Sequence, residues 1–435
     1  MKTPSILAIL LLVIFLAPGL GVCEGFLAGV AKVDITPPLE MKASLGGYGE
    51  RMSQPATGVH DRLWAKALVM KTGDKKYALV TADALGFPPA VKPAVMEKIE
   101  QSGWKREEVM LLPSHSHASF DMTAINPDNT FGIPQLGIYQ PELFSLVVER
   151  IAQAILEAGS KSAPVTFGVD SRTLEDWAAN RREGQSEKDE VLTVARFDLK
   201  DGSPLALLIG WAAHPTFMGA EEMMFSGGWP GAMQRQVETL VDGDVVALYY
   251  NGAQGDQRPV ARPDSGASAW EKAERYGTGL GKLAAELAGQ VETRPVEVFD
   301  HNLQTVELPP RTWHPDFMQT GGSEYGMRPE IMEMLIQQMV PETSTVGAVR
   351  INDFMIVGIP GELASGLGKG LKQKVSELTG ASQVTIGGLA NEWISYILSP
   401  EEYTRGLYEA SVSFYGPRLG PTIVQAAEEV AAPLK

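Results

Sequence analysis

The chain has a single cysteine, Cys23, in 435 residues, so no intrachain disulfide can form. Basic side chains are in deficit: 37 Lys and Arg against 53 Asp and Glu give a formal net charge of -16. That balance argues against a nucleic-acid partner, because phosphate backbones are bound by Lys and Arg, and against attraction to anionic lipid headgroups. The acidic excess reads instead as a solubilising surface. Long apolar runs are scarce too. One stands at the N-terminus, residues 6–16 within "MKTPSILAILLLVIFLAPGLGVCEG", too short for a comfortable membrane span. A lysine, that run, Pro18 and Gly19, then small residues before Glu24 have the layout of a secretory signal peptide over residues 1–23. The mature protein is expected to begin near Glu24 and to be secreted or periplasmic. Lipid anchoring at Cys23 is the minor alternative, since Val22 fits a lipoprotein signal poorly. No later segment reaches transmembrane length. A G-x-S-x-G turn is also missing, which argues against a Ser-His-Asp hydrolase of the nucleophile-elbow kind.

What is present is the composition of an ordinary globular protein, with 44% hydrophobic and 21% charged residues. Short apolar runs ("KYALVTADAL", "EVMLLPSHSH", "ALLIGWAAHPT", "VVALYYNGAQGD", "FMIVGIPGELAS") alternate with amphipathic stretches near residues 91–103, 141–158, 230–240 and 268–289. Such alternation predicts an α/β fold with a mixed β-sheet core flanked by helices, in a single large domain over residues 24–435. Residues 298–345 look less regular and read as an insertion or an active-site loop.

Several apolar runs end in a polar residue followed by Gly, Pro or Ser: Asp83, His115 with His117, His214, Asp256 and Glu362. In open α/β sheets ligands bind beyond the carboxyl ends of the strands, so these groups could meet at one edge, or simply mark where strands become polar. Histidine is scarce, at six, yet His115 and His117 stand one residue apart. In extended chain both would face the same way and could converge on one ion; the alternative is a pair satisfied by backbone carbonyls in a buried turn. His214 alone reads as a core histidine, and Glu362 alone as an acid in a helix first turn. Two strand-end histidine sites and a strand-end carboxylate together have the composition of a catalytic zinc site.

Eight segments carry a family resemblance: "GVAKVDITPP", "GVHDRLWAKALVM", "SHSHAS", "ANRR", "GWAAHPTFM", "NGAQGDQRP", "IPGELAS" and "GLANEWISYILSPEEYTRGLYEASVSFYGP". Through them the chain resembles the N-terminal catalytic domain of the neutral or alkaline non-lysosomal ceramidases. The resemblance implies one zinc ion per chain, held by His115, His214, Glu362 and Tyr396. Tyr396, in "WISYIL", would otherwise read as core. It implies proton transfer by His117, and contacts from Arg181 and Tyr408 to the substrate or the developing oxyanion. Zinc lowers the pKa of bound water to about 7 and polarises a carbonyl, a neighbouring imidazole moves the proton, and hydrogen-bond donors steady the oxyanion. The implied reaction is hydrolysis of an N-acyl bond, with ceramide as the leading substrate.

The sequence departs from the family in one segment. Where the family has "GDxSP" with an active-site serine, this chain has "GDQRP", with Arg258 at the serine position. A guanidinium is permanently charged and is no nucleophile. Asp256 and Arg258 are therefore expected at the substrate, the arginine fork suiting a carboxylate or phosphate on a more polar amide or ester; the alternative is an ion pair of Arg258 with Asp256 or another acid. Longer family members continue into an immunoglobulin-like C-terminal domain that this sequence does not include, so substrate presentation from membranes is expected to differ. A metal-retaining binding protein without turnover is the rival from another functional class.

Overall fold

The computed structural model describes residues 25–263 and 266–435; the segment read as a signal peptide, including Cys23, lies outside them. Strands with apolar residues on both faces assemble into three helix-backed sheet units around one shared core. The first unit holds β1 (Leu27–Asp34), β2 (Trp64–Thr72), β3 (Lys75–Ala82) and β4 (Val109–Pro113), backed by α1 (Val91–Ile99) and α2 (Pro141–Ser160). The second holds β5 (Ala163–Thr173), β6 (Val191–Leu199), β7 (Pro204–Trp211) and β8 (Val246–Asn251), backed by α3 (Gly228–Leu240) and α4 (Ala269–Ala288). The third is a four-stranded sheet of β9 (Phe299–Glu307), β10 (Thr343–Ile351), β11 (Phe354–Gly358) and β12 (Gln383–Gly387). It is covered by α5 (Pro329–Met339), α6 (Ser365–Thr379) and α7 (Leu419–Ala431).

The period-two alternation of each strand divides its side chains between these layers. Leu79 and Leu112, Leu208 and Tyr250, and Phe354 and Ile356 all point into the shared core. Their sequence neighbours turn outward onto helices: Val80 and Leu111 in the first unit, Ile209 and Tyr249 in the second, Met355 and Val357 in the third. The first two units form one eight-stranded sheet in the order β8-β7-β6-β5-β1-β2-β3-β4. The ladder between β1 and β5 has only two residue pairs, Leu27↔Pro164 and Ala28↔Ala163, so the sheet folds over there. Its outer strands then approach one another, and the Asn251 amide bridges the Ser114 and Ala213 carbonyls at 3.3 Å each.

The expected α/β class with a mixed sheet is what the structure has. The expectation for residues 298–345 needs correction, because that stretch contains β9, α5 and the start of β10 rather than a long irregular loop. The reason is visible in β9, "FDHNLQTVE": it is an edge strand paired only with β10 and mostly half-exposed, so it has little apolar alternation. Among the described residues no helix is long and apolar enough to cross a membrane.

Candidate metal centre and substrate cavity

The strands that matter run in parallel pairs, β3 with β4, β7 with β8 and β11 with β12, and their carboxyl ends meet. His115 and His117 follow β4, His214 follows β7 and Glu362 follows β11, so the first sheet unit sends two groups and each of the others one to the same point. His115 sits in the left-handed region, with φ 67°, which side chains other than Gly and Asn rarely adopt. Its backbone N–H donates to Ala84 O at 2.9 Å, and its ring Nδ1 donates to Leu85 O at 2.5 Å. The Nδ1 of His214 likewise donates to Gln254 O at 2.8 Å. With each Nδ1 committed as a donor, each Nε2 presents its lone pair inward.

Those lone pairs converge. His115 Nε2 is 3.4 Å and His214 Nε2 2.9 Å from Glu362 Oε2, while His117 Nε2 lies 3.4 Å from His115 Nε2. The ligand atoms of the three histidines all fall within 4.8 Å of one another. Although close, His214 Nε2 and Glu362 Oε2 make no hydrogen bond, since the ring proton is on Nδ1; both atoms are buried without a partner. Lone pairs facing lone pairs in a buried site are costly unless a cation sits between them, so the residues fit a metal ion. Burial, with Arg181 next, pulls His214 down to about 4, and burial followed by the neighbouring His115 pulls His117 well below its ordinary value.

Tyr396 joins the group through backbone pairing. Residues Glu362–Leu363 and Tyr396–Ile397 form a two-residue parallel ladder in which Glu362 and Tyr396 are direct partners. Glu362 is thus in a strand, not a helix first turn; α6 starts at Ser365. Arg181 Nη2 donates to the Tyr396 hydroxyl at 2.8 Å, and Arg181 Nε to Glu409 Oε1 at 2.7 Å. Tyr408 lines the cavity with Tyr396, His115, His117 and Glu362. Asp256 and Arg258 are not on that wall. Asp256 is fully buried and accepts the Ser365 N–H and hydroxyl and an Asn180 N–H, which caps α6; Arg258 is exposed on a short strand. Asp83 is also elsewhere, bonded to Trp64 N and to Gln234.

Three contributors carried no sequence signal of their own. The Trp393 indole donates to Glu362 Oε1 at 2.8 Å, leaving Oε2 for the histidines; it lies inside the long C-terminal motif, where its acceptor could not be read. Arg51, 3% exposed, gives its guanidinium to carbonyls alone, including Gly46 O at 2.5 Å and His117 O at 2.6 Å. Gly47, at φ 93°, packs so closely that a Cβ would come within 2.5 Å of His117 Nδ1. From this polar end an open cavity runs between Leu85, Met122, Phe317, Met332, Leu335 and Phe414.

Fold and site together define an α/β protein with a buried metal-ligand cluster at the end of an apolar cavity. The profile of the family described as "Neutral/alkaline non-lysosomal ceramidase, N-terminal" matches residues 26–265 and 330–425. The chain belongs to that family. It is 23% identical to neutral ceramidase B of Dictyostelium discoideum, over 89% of this chain and 69% of that one. It is 22% identical to the neutral ceramidase of Pseudomonas aeruginosa, over 94% and 72%. The crystal structure of the neutral ceramidase from Pseudomonas aeruginosa superposes with a TM-score of 0.82 at 21% identity, covering 94% of this chain and 74% of that one.

Proposed function

We propose that the chain is a zinc-dependent amidohydrolase that cleaves the N-acyl bond of ceramide to give sphingosine and a fatty acid. The observation that carries this reading is the convergence of His115, His214 and Glu362 at the polar end of an apolar cavity. Membership of the ceramidase family, and relatives named neutral ceramidase, support the substrate. His115, His214, Glu362 and Tyr396 would hold one zinc per chain, which when bound supplies a Lewis acid for the amide carbonyl and an acidified water. His117, kept neutral by burial, takes the proton of the attacking water and passes it to the leaving nitrogen as the C–N bond breaks. Tyr408 donates to the carbonyl oxygen as it gains charge. Arg181 is a positioning residue, acting through the Tyr396 hydroxyl. The apolar wall takes hydrocarbon, each buried CH₂ contributing about 0.8 kcal/mol. Export directed by residues 1–23 belongs to the same reading and places the reaction outside the cytoplasm.

The test is fatty-acid release from ceramide by the zinc-loaded mature chain, with His115→Ala alongside. Release that falls to background in the variant is the expected result. A folded, metal-loaded protein that releases nothing rejects the ceramide assignment, and binding without turnover on any N-acyl substrate would leave a metal-retaining binding protein.

A further inference from the structure

Apart from an ion held by its histidines and Glu362, the cavity wall carries charge of one sign. Among the described residues that line it there is no Lys or Arg, whereas Asp121 adds a carboxylate to that of Glu362. Asp121 is placed with care: Oδ1 accepts the Thr123 N–H and hydroxyl at 2.9 Å each. It lines the same cavity as the proton-transferring histidine. Gly46 and Gly47 are consecutive, and a Cβ on the first would lie 3.4 Å from Asp121 Oδ1, one on the second 2.5 Å from His117 Nδ1. Thr123, Asn126 and Gln135 add further polar groups to a lining that also includes Phe317, Met332 and Leu335. The basic residue that acts on Asp121 is Arg51, which is not among the lining residues and whose guanidinium is committed to the Gly46 and His117 carbonyls.

We propose that Asp121 is a specificity-determining residue that reads the group carried on the leaving nitrogen, accepting a hydroxyl-bearing or cationic amine and rejecting a carboxylate or phosphate. The inference rests on the amidohydrolase reading, in which His117 delivers a proton to that nitrogen from the cavity wall that Asp121 shares. A carboxylate receives hydrogen bonds from hydroxyl and ammonium groups and repels a second anion in a site with little water. Arg258, the cation the sequence offered for an anionic substrate, is exposed and off the cavity wall, so among the described lining residues no basic side chain compensates an incoming negative charge.

Three amides with one acyl chain test this, their amine halves carrying a diol, a second ammonium or a carboxylate. Each is measured with the zinc-loaded wild type, Asp121→Asn and Asp121→Glu. The wild type is expected to favour the diol and ammonium amides over the carboxylate amide by about ten-fold or more in kcat/KM, as one charge-assisted hydrogen bond would give. Asp121→Asn is expected to lose most of that ratio through KM, and Asp121→Glu to recover part of it. An unchanged ratio in a folded Asp121→Asn protein, or equal use of the carboxylate amide by the wild type, overturns the proposal. Failure to cleave any of the three would remove the amidohydrolase reading instead; titration of the free diol amine then decides the subsite, with weaker binding to Asp121→Asn supporting it and equal binding overturning it.

Discussion

Trp393 holds the candidate metal centre from behind. Its indole N–H occupies one oxygen of Glu362 at 2.8 Å and so turns the other toward His115 and His214. Partners of this kind orient ligands, and their loss lowers metal affinity about 10–100-fold. Trp393→Phe is expected to weaken zinc binding by that factor in a competition titration against a chelator; unchanged affinity would mean that the carboxylate is oriented by the histidines alone. Asp83 has the opposite character, a strand-end carboxylate that serves the fold. Burial pushes it up to about 6, with Lys66 and the Trp64 N–H pulling the other way. Between about pH 4 and 6 the native state keeps a proton that the unfolded chain has released, so stability falls as pH rises through that window, by up to about 3 kcal/mol. Asp121 and Asp256, also pushed to about 6 by burial, act with the same sign. Asp83→Asn is therefore expected to reduce the decline rather than abolish it, and urea unfolding at about pH 3.5 and 7.5, values chosen to bracket the shift, measures the difference. The His-x-His spacing was legible because a period-two rule links positions two apart. Tyr396 came through the family resemblance, since its pairing with Glu362 is a tertiary fact without local pattern. Arg51 was not legible at all, because carbonyl acceptors leave no trace in side-chain identity.

At the level of elements, the cavity wall depends most on α5. Met332 and Leu335 are buried on its inner side while Met334 is 58% exposed, the period expected of a helix with one covered face. The family profile skips residues 266–329 and resumes at 330, so the approach to this helix, with Phe317, Tyr325 and Met327 on the cavity wall, is outside the matched region. Acyl-chain preference is expected to be set here. Leu335→Trp would fill part of the cavity, and a long-chain ceramide is expected to lose about ten-fold or more in kcat/KM relative to a two-carbon acyl analogue. Equal losses for both would place the acyl chain elsewhere. The weak alternation of β9 made this region read as loop, while the helices at 141–160 and 269–288 were plain because each has a continuous apolar face and polar flanks.

For the whole molecule, the α/β class was legible from alternating strands and helices, but the folding-over of the eight-stranded sheet was not. It depends on a two-pair joint between β1 and β5, which no residue pattern announces. That joint and the third sheet bring the ends of β4, β7 and β11 together, so the three sheet units share one ligand cluster. A metal bound there ties all three units at once and binds only the native arrangement, so binding free energy adds to folding free energy. At a thousand-fold excess over Kd the gain is about 4 kcal/mol, which for a chain of this size corresponds to a rise in Tm of about 5 °C. Chelation of the purified protein should lower Tm by that amount, and zinc should restore it. His214→Ala should remove the response to zinc while leaving the chelated protein folded, because the imidazole's departure relieves the unpartnered contact with Glu362. A zinc-dependent shift that persists in His214→Ala would place the stabilising ion at other ligands, and the joining of the three units would then have to come from the shared apolar core alone.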